Sequence, residues 1–91
     1  MKMIQYGANM VVITDDRGKL HLFSYETEVL CYNPRNKDMT VYTNVANYSV
    51  TTKKHVRNFC TYFLDDPLLA STIFNPKESR KGYKILHIIN E

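Results

Sequence analysis

The side chains able to do chemistry in this chain are His21, His55, His87, Cys31, Cys60 and the acids Asp15, Asp16, Glu26, Glu28, Asp65 and Asp66. Spacing decides what such groups can do. A helical zinc site needs two histidines four apart, a zinc finger or redox pair needs C-x-x-C, and a phosphate cradle needs clustered glycines with a lysine. Here the histidines are scattered, the two cysteines stand far apart and the three glycines do not cluster. Asp15-Asp16 precedes Gly18, where aspartate is favoured for bonding its own backbone, so the pair reads as a turn and not as a metal site. The expectation is a non-enzyme without catalytic residues, metal or cofactor. His55 is the histidine to watch, because the cations Lys53 and Lys54 beside it should keep it neutral.

The basic residues are more suggestive. Lys53, Lys54 and Arg57 fall in the first two turns of the one strongly patterned helix, where the positive end of the dipole opposes each by about 0.3–1 kcal/mol. An anionic partner would reverse that sign, whereas a solvated basic face is the plain alternative. Lys77, Arg80, Lys81 and Lys84 follow in a later loop and strand, and they would join the helix group if that loop folds back over the helix N-terminus. Tyr48 and Tyr83 stand beside the two groups, with rings that can stack on a base or on a protein. The candidate partner- or nucleic-acid-binding residues are therefore Tyr48, Lys53, Lys54, His55, Arg57, Arg80, Lys81 and Lys84.

The helix that positions them starts after the hydroxyls of Ser49, Thr51 and Thr52, with Thr51 or Thr52 as N-cap, and ends near Leu64. Val56, Phe59, Cys60 and Phe63 share its core face, and Lys54, Arg57, Asn58 and Thr61 the other. Asp66 as N-cap and Pro67 at the first position open a shorter helix over residues 68–74, closed by Asn75-Pro76. Upstream, Met3 to Tyr6 and Met10 to Thr14 read as strands, and Asp15 to Gly18 as a hairpin turn. Lys19 to Tyr32 reads as one long strand, with Phe23, Tyr25, Thr27, Val29 and Cys31 on one face and Glu26 and Glu28 on the wet one. Asn33 to Asp38 is a loop, Met39 to Thr43 a third strand, and Tyr83 to Ile89 a final strand rich enough in isoleucine to lie inside the sheet. The expected fold is α+β: an antiparallel sheet of four to five strands, an N-terminal meander plus the C-terminal strand, with one main and one short helix on one face. Phe59 and Phe63 should cover Phe23, Tyr25, Val29 and Ile85.

Ninety-one residues make one domain, residues 1–91, large enough to fold without a disulfide or a metal. A composition of 44% hydrophobic and 23% charged residues is ordinary for a globular domain, so disorder is not expected. Cys31 and Cys60 are expected as buried, reduced thiols. The formal charge of +3 is weak for a dedicated nucleic-acid binder, and all of it arises after residue 52. The N-terminus lacks an apolar signal core and no 18 apolar residues run together, so no membrane contact is expected and a cytoplasmic location is.

Ser24-Tyr25-Glu26-Thr27-Glu28-Val29 and, about twenty residues on, Tyr48-Ser49-Val50-Thr51-Thr52-Lys53-Lys54-His55 resemble the S-Y-x-T-x-V strand and Y-S-x-T-T-x-x-H helix signatures of small uncharacterised phage and mobile-element proteins. The resemblance covers roughly residues 20 to 63; an aromatic common before the second motif is replaced by Val45-Ala46-Asn47. It implies an origin and no catalytic residues. By analogy of class, it implies a protein that works without catalysis by binding and inhibiting or modulating a host or defence macromolecule, such as a CRISPR effector, nuclease or polymerase. A homodimer through an exposed strand edge fits the same class. The alternative is direct nucleic-acid binding through the basic helix face, with a small enzyme a distant third.

Overall fold

The computed structural model describes residues 2–5, 7, 9–42, 48–75 and 77–88. Tyr6, Thr43 and Ile89, assigned to strands from sequence, lie outside the described residues, as do Val45-Ala46-Asn47 and Pro76. The chain runs β1 (Lys2–Gln5), β2 (Met10–Thr14), β3 (Leu20–Ser24), β4 (Thr27–Asn33), β5 (Asp38–Val41), α1 (Val50–Tyr62), α2 (Leu69–Phe74) and β6 (Lys84–His87). One six-stranded sheet results, in the spatial order β1-β2-β3-β4-β5-β6. The first five strands form an antiparallel meander, and β6 joins β5 in parallel. The architecture is α+β as expected, but the sheet has six strands and is mixed.

Both differences have a local cause. The segment read as one strand from Lys19 to Tyr32 folds back on itself at Tyr25-Glu26, whose φ angles are 52° and 68°. Two central residues with positive φ mark the tight hairpin turn that matches the twist of the flanking strands, yet glycine or asparagine usually occupies it. Neither is present, so the turn carried no compositional signal. The last strand is parallel because the chain crosses over through α1 and α2, as parallel pairing requires, in place of a hairpin. It sits at the sheet edge, not inside it, with Leu86 and Ile88 exposed. Isoleucine content reports burial on one face, not the number of strand neighbours.

The other turns follow their residues. Asp15 Oδ1 accepts the amides of Arg17 and Lys19 at 2.9 and 3.0 Å, and Gly18 takes a φ of 83°. Asn33 Oδ1 accepts the Arg35 amide at 3.0 Å at the start of the β4–β5 turn. Between β3 and β4 the register slips: Leu22 faces Leu30, whereas Phe23 faces Glu28, which leaves Val29 as an extra residue. Val29 and Leu30 are consequently buried in succession. This bulge turns Glu28 to the face shared by His21, Phe23 and Cys31.

Helix α1 lies on the opposite face. Ser49 is its N-cap, in place of Thr51 or Thr52, and its Oγ accepts the Thr52 amide at 3.1 Å. Val56, Phe59 and Cys60 are fully buried and Phe63 stacks on Phe59 at 5.5 Å, as the helical spacing required. They cover Met10, Val12, Leu22, Leu30, Met39 and Val41, joined by Leu69 and Ile73 of α2. Of the sheet residues expected beneath the helix, Val29 is buried and Ile85 packs against the core. Phe23 instead lies on the helix-free face and Tyr25 is half exposed, because the turn and bulge reverse the assumed alternation. Helix α1 stops at Tyr62, and α2 begins at Leu69 with no side-chain cap; the Asp66 carboxylate is engaged by Arg80.

Glu26 is exposed and held at φ 68°, a conformation that is unfavourable for any residue with a Cβ. Glu26→Gly should raise stability by about 0.5–1 kcal/mol in denaturant titration, because relief of that strain exceeds the entropy glycine gains when unfolded.

Candidate functional site

The two signature stretches meet. Ser24, the last residue of β3, places its Oγ 2.7 Å from His55 Nδ1 and 3.1 Å from Thr52 Oγ1. Ser49 Oγ donates to Thr52 Oγ1 at 3.1 Å while accepting the Thr52 amide. Read in one direction, the hydroxyl protons run from Ser49 to Thr52, Ser24 and finally Nδ1 of His55. That order needs a neutral imidazole protonated on Nε2. Burial holds the His55 pKa below its usual value, and the nearby Lys54 charge adds to that. The sequence anticipated the direction from the lysines; the larger cause, burial under the sheet, depends on the fold. The Tyr25 ring lies 5.8 Å from the imidazole.

A serine beside a histidine invites comparison with a nucleophile and its base. Ser24 and His55 are both buried, so no substrate atom can reach the serine oxygen. The chain of hydroxyls acts instead as a clamp between the start of α1 and the β3–β4 turn. His55, named from sequence as a surface contact, is spent inside the molecule.

The other candidates divide. Lys54 and Arg57 are exposed on α1, Lys53 is half-buried, and Val50 beside them is 84% exposed. The first turn of α1 holds no acid, and among the described residues no ion pair engages Lys53 or Lys54. Arg57 lies over the Phe74 ring at 5.3 Å, and half-buried Tyr48 meets the same ring edge-on at 6.4 Å. Lys53, Lys54 and Arg57 thus share the outer side of α1, whereas Tyr48, named from sequence as a contact, packs against the core with its hydroxyl buried. Arg80 does not join them. Its guanidinium grips Asp66 through two bonds of 2.7 Å and holds that carboxyl below its usual range. Asp66 follows the C-terminal end of α1, so the late loop approaches the end of the helix opposite to the one expected. Lys81 precedes Tyr83, which contacts Tyr32 at 5.9 Å and carries Lys37 over its ring at 5.8 Å. Lys84 lies on β6 opposite Asp38.

A family model described as a family of unknown function, DUF8033, matches residues 2–67. The chain belongs to that family. No curated protein and no solved structure matches the chain. The DUF8033 match takes in the meander, α1 and the whole hydroxyl clamp, and it ends before α2 and β6. Among the described residues no helix is long and apolar enough to cross a membrane.

Sequence reasoning missed Ser24 as a partner of His55, for they are 31 residues apart and only the fold of β3 against α1 joins them. Ser24→Ala should destabilise by about 1–3 kcal/mol in chemical denaturation, because it leaves buried polar groups without their partner. The pH dependence has a fixed sign. Above the unfolded pKa of about 6.5 both states hold a neutral His55; below it the unfolded chain takes a proton that the folded state resists, so stability falls with acid. His55→Asn should therefore cost more at about pH 7.5 than at about pH 5, as read from denaturation midpoints at each pH.

Proposed function

We propose that this DUF8033 member is a non-catalytic binding protein that docks on an acidic protein surface through the outer side of α1. The observation that carries this reading is the pair Lys53 and Lys54, in no ion pair among the described residues and placed in the first turns of the helix beside the exposed Val50. Each opposes the helix dipole, and the first turn of α1 holds no acid to relieve it. A partner carboxylate would supply one, while the exposed Val50 and the Arg57 guanidinium over the Phe74 ring offer contact area of the kind that anchors protein interfaces. The resemblance to small phage and mobile-element proteins makes a host or defence assembly the target class to test first, with the cytoplasm as its setting.

Nucleic acid is the weaker reading because the basic residues form no continuous track. Arg80 is neutralised by Asp66, and Lys37, Lys81 and Lys84 belong to the β5–β6 side. Three helix cations would give duplex binding with a log-log salt slope of about −2.7, a weak interaction at physiological salt.

The test is affinity capture from host extract treated with nuclease, using the wild type, Lys53→Glu/Lys54→Glu and Lys81→Glu/Lys84→Glu side by side. A protein retained by the wild type and the second variant and reduced about tenfold or more by the first is the expected result. Capture that is indifferent to Lys53 and Lys54 would sink the proposal. Titration of the wild type with labelled duplex DNA that shows the −2.7 slope, abolished by the helix reversal, would replace it with the nucleic-acid reading.

A further inference from the structure

The helix-free face of the sheet carries a second cluster, remote from α1. Ile13, His21, Cys31 and Thr40 stand directly opposite one another across β2, β3, β4 and β5. The bulge at Val29 brings Glu28 to the same side, and one ligand-capable atom from each of His21, Glu28 and Cys31 lies within 4.8 Å of the other two. Glu28 Oε2 is 3.0 Å from His21 Nδ1. On its far side the imidazole meets Asp15, whose Oδ2 lies 2.8 Å from Nε2. Asp15 is itself fixed, because its Oδ1 accepts the amides of Arg17 and Lys19. All three candidate ligands are partly open to solvent, so an ion can enter.

We propose that His21, Glu28 and Cys31 form a Zn²⁺ site, with Asp15 as the carboxylate that orients the histidine. One nitrogen, one carboxylate oxygen and one thiolate suit a borderline ion, and three protein ligands leave the fourth tetrahedral position to water or an incoming group. Ligand atoms around such an ion stand about 3.3–3.7 Å apart, which small side-chain rotations reach from the present spacing. The Asp15 contact is the second observation that points to a metal. A histidine ligand characteristically donates its other ring N–H to a carboxylate, which fixes the tautomer and raises the basicity of the ligating nitrogen. Here Nε2–H would serve Asp15 and leave Nδ1 for the ion, in the direction where Glu28 and Cys31 converge. On binding, the Cys31 thiol and the Nδ1 position release their protons to solvent, and Zn²⁺ takes their place with no change of oxidation state. The site draws on two rigid strands and a turn held by its own hydrogen bonds, so it is largely formed before the ion arrives.

The probe is Zn²⁺ alone, titrated into the purified full chain by calorimetry, with Co²⁺ as the spectroscopic substitute. The expected result is saturable one-to-one uptake and a thiolate-to-cobalt charge-transfer band that Cys31→Ser removes and Cys60→Ser retains. His21→Asn should weaken Zn²⁺ binding at least about tenfold. Asp15→Asn should weaken it about 10–100-fold while the charge-transfer band persists at saturation, which separates orientation of the ligand from ligation. A readout on the wild type guards against variants that fail to fold: Zn²⁺ should protect Cys31 from alkylation, located by peptide mass. Absence of saturable binding, a band that follows Cys60, or equal alkylation of Cys31 with and without Zn²⁺ would each overturn the site.

Discussion

A serine and a histidine buried in an apolar core are costly unless each satisfies the other, and the position of α1 depends on that condition. Apolar packing alone would let the helix slide or rotate by small amounts over Leu22 and Leu30, since dispersion is non-directional. The 2.7 Å bond between Ser24 and His55, extended through Thr52 to the N-cap Ser49, is directional and admits one placement. It ties three features into one unit: the last residue of β3, the strained turn that follows it, and the start of the helix. The positive φ angles at Tyr25 and Glu26 are the local conflict in that unit. The turn ends β3 at Ser24, whose hydroxyl then faces α1, and so the strain persists because the clamp over-determines the geometry.

The bulge at Val29 divides the molecule into its two faces. Without it, strict alternation from Leu30 would send Glu28 into the core, where an unpaired carboxylate could not be accommodated. The extra residue puts two consecutive apolar side chains, Val29 and Leu30, under the helices and returns Glu28 to the side of His21. One backbone irregularity therefore completes the core and assembles the polar cluster.

What the sequence made legible was what is local. The stripe Val56, Phe59, Cys60 and Phe63 has helical period, and the structure buries it against the sheet as that period demands. The Asp15-to-Gly18 turn announced itself through residues whose own side chain and φ make the turn. What stayed hidden was either unmarked or non-local. Tyr25-Glu26 is a hairpin turn built from residues that avoid such turns, so two strands read as one. Ser24 and His55 meet across 31 positions, and Arg80 reaches Asp66 across 14. The His21, Glu28 and Cys31 cluster has no linear motif because strand register and a bulge bring its members together, whereas recognised metal motifs encode a helix or a knuckle. The family match does not change this accounting, since it names no residue and no chemistry.

The two proposed surfaces lie on opposite sides of the sheet. Lys53, Lys54 and Val50 are outside the helix layer, and His21, Glu28 and Cys31 are beyond the strands. At least one sheet-to-layer spacing of about 10 Å separates them. At that separation the effects of substitutions add to within a few tenths of a kcal/mol. Their histidines are also placed with opposite electrostatic sense. His55, buried among hydroxyls, resists a proton, whereas two carboxylates flank His21 and outweigh the burial that would otherwise depress its pKa. Acid therefore strains the clamp that seats α1 while it strengthens the ion-free cluster on the far side. A partner bound at α1 and an ion bound at His21 would each act on a separate layer, joined through Leu22, which sits between His21 and Phe23 on β3 and faces α1. The packing of that one strand is the physical route by which coupling between them would pass.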